Sequence, residues 1–228
     1  MQHFNIAVDG PAGAGKSTIA KAVAEKLGFI YVDTGAMYRA MALYFLRCGI
    51  GPSEEERITK ACGQVDITIR YEDGLQQVIL NGENVSGQIR TEEVGKMASA
   101  TSVYLPVREK LVELQKALAK TADVIMDGRD IGTCVLPDAQ AKIYLTASVA
   151  VRGKRRFDEL TAKGVPCSLE EIEADIEKRD YQDMHREHSP LKQAEDAVLL
   201  DSSDLSIQQV IDRIIRIAVE HGLSVRGN

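Results

Sequence analysis

The sequence has 228 residues, with 28 basic side chains against 34 acidic ones and a formal net charge of −6. That length fits one large domain or a domain carrying an insertion, and 44% hydrophobic with 27% charged residues is a globular balance that excludes a disordered chain. The acidic excess argues against binding a nucleic acid polymer, no apolar run approaches the roughly 18 residues of a membrane span, and Met1-Gln2-His3-Phe4 does not open a secretion signal.

The first 50 residues alternate strand and helix. Phe4 to Val8 is a short apolar run ending at Asp9, and a glycine-rich turn follows over residues 10–15. From Lys16, apolar residues at Ile19, Ala20, Val23, Ala24 and Leu27 keep helical rhythm until Gly28 stops it. Phe29 to Val32 reads as a second strand, and Met37, Met41, Leu43, Phe45 and Leu46 as a second helix. Repeated strand-turn-helix units imply a parallel sheet with covering helices.

Near residue 61 the period changes. Val65, Ile67, Ile69 and Tyr71 alternate with polar residues, and Asp73-Gly74 and Asn81-Gly82 are hairpin signals, so residues 63–90 read as an antiparallel meander. Thr91 is expected to cap a short helix to about Ser102, and Pro106 to open another to about Ala119. Core strands return at 124–126, 141–145 and 197–200, and the first and last of these end at Asp127 and Asp201. Ser148 caps a basic helix, while Ser168-Leu169-Glu170-Glu171 and Ser206-Ile207-Gln208-Gln209 read as capping boxes. Gly227-Asn228 reads as a frayed end. Cys48, Cys62, Cys134 and Cys167 are scattered, which predicts four buried or half-buried thiols and a cytoplasmic setting rather than disulfides or zinc.

Gly10-Pro11-Ala12-Gly13-Ala14-Gly15-Lys16-Ser17 fits G-x-x-x-x-G-K-[ST] between a strand and a helix. Glycines let backbone N–H groups approach a phosphate, and the helix N-terminus adds a favourable dipole. Lys16 supplies mobile charge for the β- and γ-phosphates of a nucleotide, and the Ser17 hydroxyl suits Mg²⁺. Asp127, at a strand end, is placed as the acid near that ion. A GTPase would need Asn-Lys-x-Asp, and no Asn precedes Lys here.

Arginines then suggest a second anionic substrate. Arg39 and Arg129 follow strands, where ligands of open α/β sheets bind. Arg152, Arg155 and Arg156 fall on one helix face, as do Arg179, Asp183 and Arg186, with Lys163-Gly164-Val165-Pro166 as a hinge between them. The pair reads as a lid that brings arginines to the transferring phosphoryl group.

These segments resemble the bacterial cytidylate kinases over essentially the whole chain. The resemblance rests on residues 7–17, on Asp33-Thr34-Gly35-Ala36-Met37-Tyr38-Arg39, on Asp127-Gly128-Arg129-Asp130-Ile131-Gly132-Thr133, and on Arg179-Asp180 followed by Asp183 and Arg186. It implies an α/β P-loop NTPase fold of the adenylate-kinase type, with a five-stranded parallel sheet, helices on both faces and a lid at about 152–187. Residues 1–62 and 103–228 would form the core, and 63–102 an inserted antiparallel domain for the acceptor nucleotide. The implied reaction takes ATP and CMP or dCMP to ADP and CDP or dCDP with Mg²⁺, in a monomer with no nucleic acid or membrane partner. The residues expected at the ATP phosphates are Gly10, Pro11, Ala12, Gly13, Ala14, Gly15, Lys16, Ser17 and Thr18. Thr34, Ser99, Arg108 and Asp130 resemble residues that hold the acceptor, the last three chiefly its base. Arg39 and Arg129 resemble its phosphate ligands, and Arg179, Asp183 and Arg186 the ribose and phosphate-side set. The expected catalytic group is Lys16, Asp127, Arg129, Arg152, Arg156 and Arg179. Pro106 stands two residues before Arg108, whereas members often place it three before, so Thr101 and Ser102 remain alternatives in that register. Competing readings are a UMP or AMP kinase and a regulator that holds ATP without turnover.

Overall fold

The computed structural model describes residues 3–72 and 75–224. In chain order the elements are β1 (Asn5–Asp9), α1 (Lys16–Leu27), β2 (Ile30–Asp33), α2 (Thr34–Arg47), α3 (Glu55–Cys62), β3 (Ile67–Glu72), β4 (Leu75–Leu80) and β5 (Glu83–Asn84). There follow α4 (Glu92–Thr101), α5 (Leu105–Ala119), β6 (Val124–Gly128), a π-helical turn (Ile131–Val135), β7 (Ala141–Thr146), α6 (Val149–Ala162), α7 (Leu169–His185), β8 (Val198–Asp201) and α8 (Ile207–Glu220). These pack as two units, residues 32–121 and the remainder, and the chain crosses from one to the other inside β2.

The larger unit is built on a sheet of order β2-β6-β1-β7-β8, in which β1 runs parallel to β6 and β7, and β7 parallel to β8. Its strands are short apolar runs because helices cover them. Ile6, Val8, Ile125, Ile143 and Leu145 pack with Ile19 and Val23 of α1 and with Val210, Ile211, Ile214 and Ile217 of α8. The i, i+3, i+4 spacing places those α8 residues on one stripe. Ser206 and Gln209 close a reciprocal capping box at its start. On α7, by contrast, the Ser168 hydroxyl donates to Glu170 at 2.7 Å and accepts from the Glu171 N–H at 3.4 Å.

The smaller unit holds the antiparallel sheet β3-β4-β5, with Ile67 opposite Leu80 and Ile79 opposite Asn84. Asn81 (φ 48°) and Gly82 (φ 86°) make the tight turn that their pairing predicts. The Asp73-Gly74 turn and the 227–228 end lie outside the described residues. This unit begins 31 residues before the 63–102 segment, at Val32, and ends at Thr121. The reason is packing: α2 lies on α4 and β4, α3 lies on α5, and Arg47 of α2 forks onto Glu83 of β5 at 2.7 and 2.9 Å. All four cysteines are free, and Cys48 is exposed rather than buried or half-buried because it follows the last residue of α2. No helix among the described residues is long and apolar enough to cross a membrane.

Candidate active site

The turn between β1 and α1 has the backbone of an anion cradle. Gly10 has φ 149°, and a Cβ there would stand 1.9 Å from the Leu145 carbonyl oxygen, so only glycine fits. Gly15 (φ 86°) precedes the first helical residue, and α1 has no side-chain cap, which leaves its first N–H groups for a ligand. Lys16 is buried and donates to the Pro11 carbonyl at 2.7 Å. Burial, and then the charge of Arg129, holds its ammonium well below the ordinary lysine range.

Asp127, at the carboxyl end of β6, is gripped from two sides. Ser17 Oγ donates to Oδ2 at 2.8 Å and Tyr31 Oη to Oδ1 at 2.9 Å. A hydroxyl and a carboxylate are hard oxygen donors, the set that suits Mg²⁺ when it arrives with a nucleotide's phosphates. Tyr31 was not among the expected residues; its place in β2, the strand next to β6, is the signal that points to it.

Beyond β6 four expected residues meet. Arg129 Nε donates to Asp183 Oδ2 at 2.8 Å, Arg186 lies 3.9 Å from Asp183 Oδ1, and Arg186 Nη2 reaches Asp130 Oδ1 at 3.5 Å. Burial alone would raise the Asp183 carboxyl, but Arg129, Arg179 and Arg186 outweigh it and hold it below the usual aspartate range. Arg179 stands exposed on α7, and Arg186 lies one residue past the helix end, where its Nε donates to the Ser189 carbonyl at 2.7 Å.

The expected arginine face on α6 is not formed as one surface. Arg152 is buried: its Nη2 and Nη1 bind Asp180 at 2.6 and 3.1 Å, its Nε the Ala147 carbonyl at 2.9 Å, and its Nη1 also the Ala12 carbonyl at 2.8 Å. Arg155 is drawn to the Ser202 carbonyl at 2.9 Å, and Arg156 is exposed and paired with Glu159 at 2.8 Å. The i, i+3, i+4 spacing along the helix put the three on one side, but different polar partners separate them. Asp180, noted in the sequence only as the neighbour of Arg179, is the residue that fixes Arg152. Where α6 meets α7, a Cβ on Gly153 would come within 2.6 Å of Glu173 Cγ, so glycine permits the close approach.

In the smaller unit, Asp33 caps α2 by accepting the Ala36 N–H at 2.9 Å, which fixes the turn carrying Thr34. Arg39 lies one turn further along α2. Arg108 is buried, sits 5.7 Å from the Tyr38 ring centroid, and donates to the Ser102 carbonyl at 3.2 Å. Ser99 lies on α4, half-buried. The Thr101 hydroxyl is buried and donates to the Met97 carbonyl of its own helix at 2.8 Å, while Ser102 meets Arg108 through its carbonyl.

A family model described as cytidylate kinase matches residues 6–220, and so takes in the phosphate loop, the 127–133 segment and the α6–α7 hairpin. The cytidylate kinase of Caldicellulosiruptor bescii is 50% identical over 217 residues, 95% of this chain and 96% of that one. That of Lactobacillus johnsonii is 51% identical over 214 residues, 94% and 93% of the two chains. A crystal structure of an uncharacterized protein from Eubacterium ventriosum shares the fold at a TM-score of 0.51 and 12% identity, covering 96% of this chain and 99% of that one. With that model spanning residues 6–220 and those relatives about half identical over nearly the whole length, this chain belongs to the cytidylate kinase family.

Proposed function

We propose that this chain transfers the γ-phosphoryl group of ATP to CMP or dCMP, giving ADP and CDP or dCDP. The observation that carries the reading is Ser17 bonded to Asp127 beside a Gly10–Ser17 cradle, in a chain that matches the cytidylate kinase model. Backbone N–H groups of Gly10 and residues 12–18 hold the ATP phosphates, with Pro11 shaping the loop, and Lys16 leaves the Pro11 carbonyl for the β- and γ-phosphates. Ser17 and Asp127 are the residues that would hold Mg²⁺ arriving with ATP, and the ion would supply charge neutralisation on the phosphoryl oxygens. The acceptor oxygen is a phosphate and already an anion, so no general base is required. The chain's task is to bring two anions together, and Arg39, Arg129, Arg179 and Arg186 offset their repulsion. Arg156 joins them from α6 by exchanging Glu159 for the transferring group. Arg152 acts through the Ala12 carbonyl, on the shape of the cradle.

Thr34, Ser99, Arg108, Asp130 and Asp183 hold the nucleoside of the acceptor. Asp130 accepts from the cytosine amine and Arg108 donates to the ring carbonyl or nitrogen. Uracil turns an acceptor toward Asp130 and leaves a buried polar group unpaired, at a cost of roughly 1–3 kcal/mol. A coupled ADP-release assay with CMP, dCMP, UMP and AMP tests this. CMP should exceed UMP in kcat/KM by roughly 5- to 150-fold. Equal values refute the assignment, and no release with any acceptor favours a regulator that holds ATP. We further infer a monomer working in the cytoplasm. Light scattering at the mass of one chain, 25.0 kDa, is the expected result.

A further inference from the structure

Asp9 is the last residue of β1 and sits immediately before the phosphate loop. It is only 4% exposed, and backbone groups take both of its oxygens. Oδ1 accepts the Ile131 N–H and Oδ2 the Gly132 N–H, each at 2.7 Å. These two N–H groups open the π-helical turn, directly after Arg129 and Asp130. The turn is closed by the Leu136 N–H on the Ile131 carbonyl at 2.6 Å and the Val135 N–H on the Asp130 carbonyl at 3.2 Å. Asp130 itself has φ −145° and ψ 27°, neither strand nor helix, so its attitude depends on what grips the residues after it.

A carboxylate suits this position because it offers two acceptors to two adjacent donors. Asparagine would aim an amide N–H₂ at one of them. A buried negative charge beside an anion-binding loop also opposes ATP binding, so ATP binding does not account for it. Burial, and to a smaller degree Asp130, pushes the carboxyl up to about 6, against the pull of the two N–H groups and Lys16, so it is mostly ionised at neutral pH.

We propose that Asp9 is a positioning residue for the acceptor nucleotide: through the Ile131 and Gly132 backbone it sets the orientation of Arg129 and Asp130. The inference rests on the reading of those two residues as CMP ligands. It predicts that Asp9→Asn lowers kcat/KM for CMP about ten-fold, chiefly through KM, while KM for ATP stays within about two-fold. The CMP-over-UMP preference should narrow toward that of Asp130→Asn, measured alongside. A second variant perturbs the same contact without removing the charge. In Gly132→Ala the new Cβ would lie 3.4 Å from Asp9 Oδ2 and 3.2 Å from Lys142 Cδ, so a smaller shift in the same direction is expected. This variant decides the matter if Asp9→Asn does not fold. Equal losses for CMP and UMP, or a rise in KM for ATP that matches the rise for CMP, overturn the proposal. If Asp130→Asn loses selectivity and neither Asp9→Asn nor Gly132→Ala does, the positioning role fails alone. If Asp130→Asn keeps full selectivity, the acceptor reading fails and the positioning role with it.

Discussion

Lys16 is buried and donates to the Pro11 carbonyl at 2.7 Å. With its ammonium held well below the ordinary lysine range, arrival of a phosphate anion must push it back up. In the pH range where Lys16 of the free protein titrates, ATP binding should therefore take up protons, seen in calorimetry as a binding enthalpy that varies with the buffer's ionisation enthalpy. In Lys16→Ala this uptake should vanish and kcat should fall at least about 100-fold, with unfolding little changed. Near-normal turnover would remove Lys16 from the mechanism. Asp9 carries a second pH signature. Its folded pKa of about 6 lies above the ordinary 3.8, so the folded state holds the proton more tightly and stability falls as pH rises through that window. Relative to Asp9→Asn, the protein should lose about 2 kcal/mol between pH 4.5 and 7.5 in urea unfolding. A flat difference would mean that Asp9 titrates as an ordinary aspartate. The sequence disclosed Lys16 because the loop's spacing is a local pattern. Asp9 and Tyr31 stayed hidden because their partners, Gly132 and Asp127, lie far along the chain and only strand order brings them near.

Among the elements, the α6–α7 hairpin depends on one buried ion pair. Arg152 and Asp180 form a two-bond fork, and Arg152 also holds Ala147 and Ala12. Asp180→Ala leaves an uncompensated buried guanidinium, a loss of about 3–5 kcal/mol by urea unfolding. A loss below about 1 kcal/mol would show the pair to be no more than a surface contact. Helices and strands were legible where caps and periodicity agree, as at Gly28, Thr91, Ser148 and Ser206. The π-helical turn was not, since Ile131-Gly132-Thr133-Cys134-Val135 has no local signature and its first two N–H groups are held by Asp9, far back along the chain. Helical spacing likewise grouped Arg152 with Arg156, because periodicity gives a side but not a partner.

For the whole molecule, a net charge of −6 coexists with arginines gathered around Asp183. The global sign governs solubility, and the local sign governs substrates. ATP held at about 100 times its Kd should add about 2.7 kcal/mol to the unfolding free energy, read as a raised urea midpoint. No shift at saturating ATP would mean that the folded chain does not bind it. The extent of the smaller unit, 32–121, was less legible than its antiparallel sheet, since α2 reads as one more covering helix of a βα repeat until its packing on β4 and α4 is seen.

One backbone bond has a bearing on ancestry. The Ile30 N–H donates to the Asp123 carbonyl at 2.9 Å, so the long excursion from Val32 to Thr121 leaves and rejoins the main sheet at neighbouring points. Closing such a loop costs entropy that grows only with the logarithm of its length, about 0.6 kcal/mol for each doubling. The seam is therefore a permissive docking point for inserted sequence. Lengthening, trimming or exchanging what lies between Tyr31 and Ala122 leaves the phosphate loop's support in place. The inserted stretch can then change in length and content while the sheet that carries the Gly10–Ser17 turn is inherited intact.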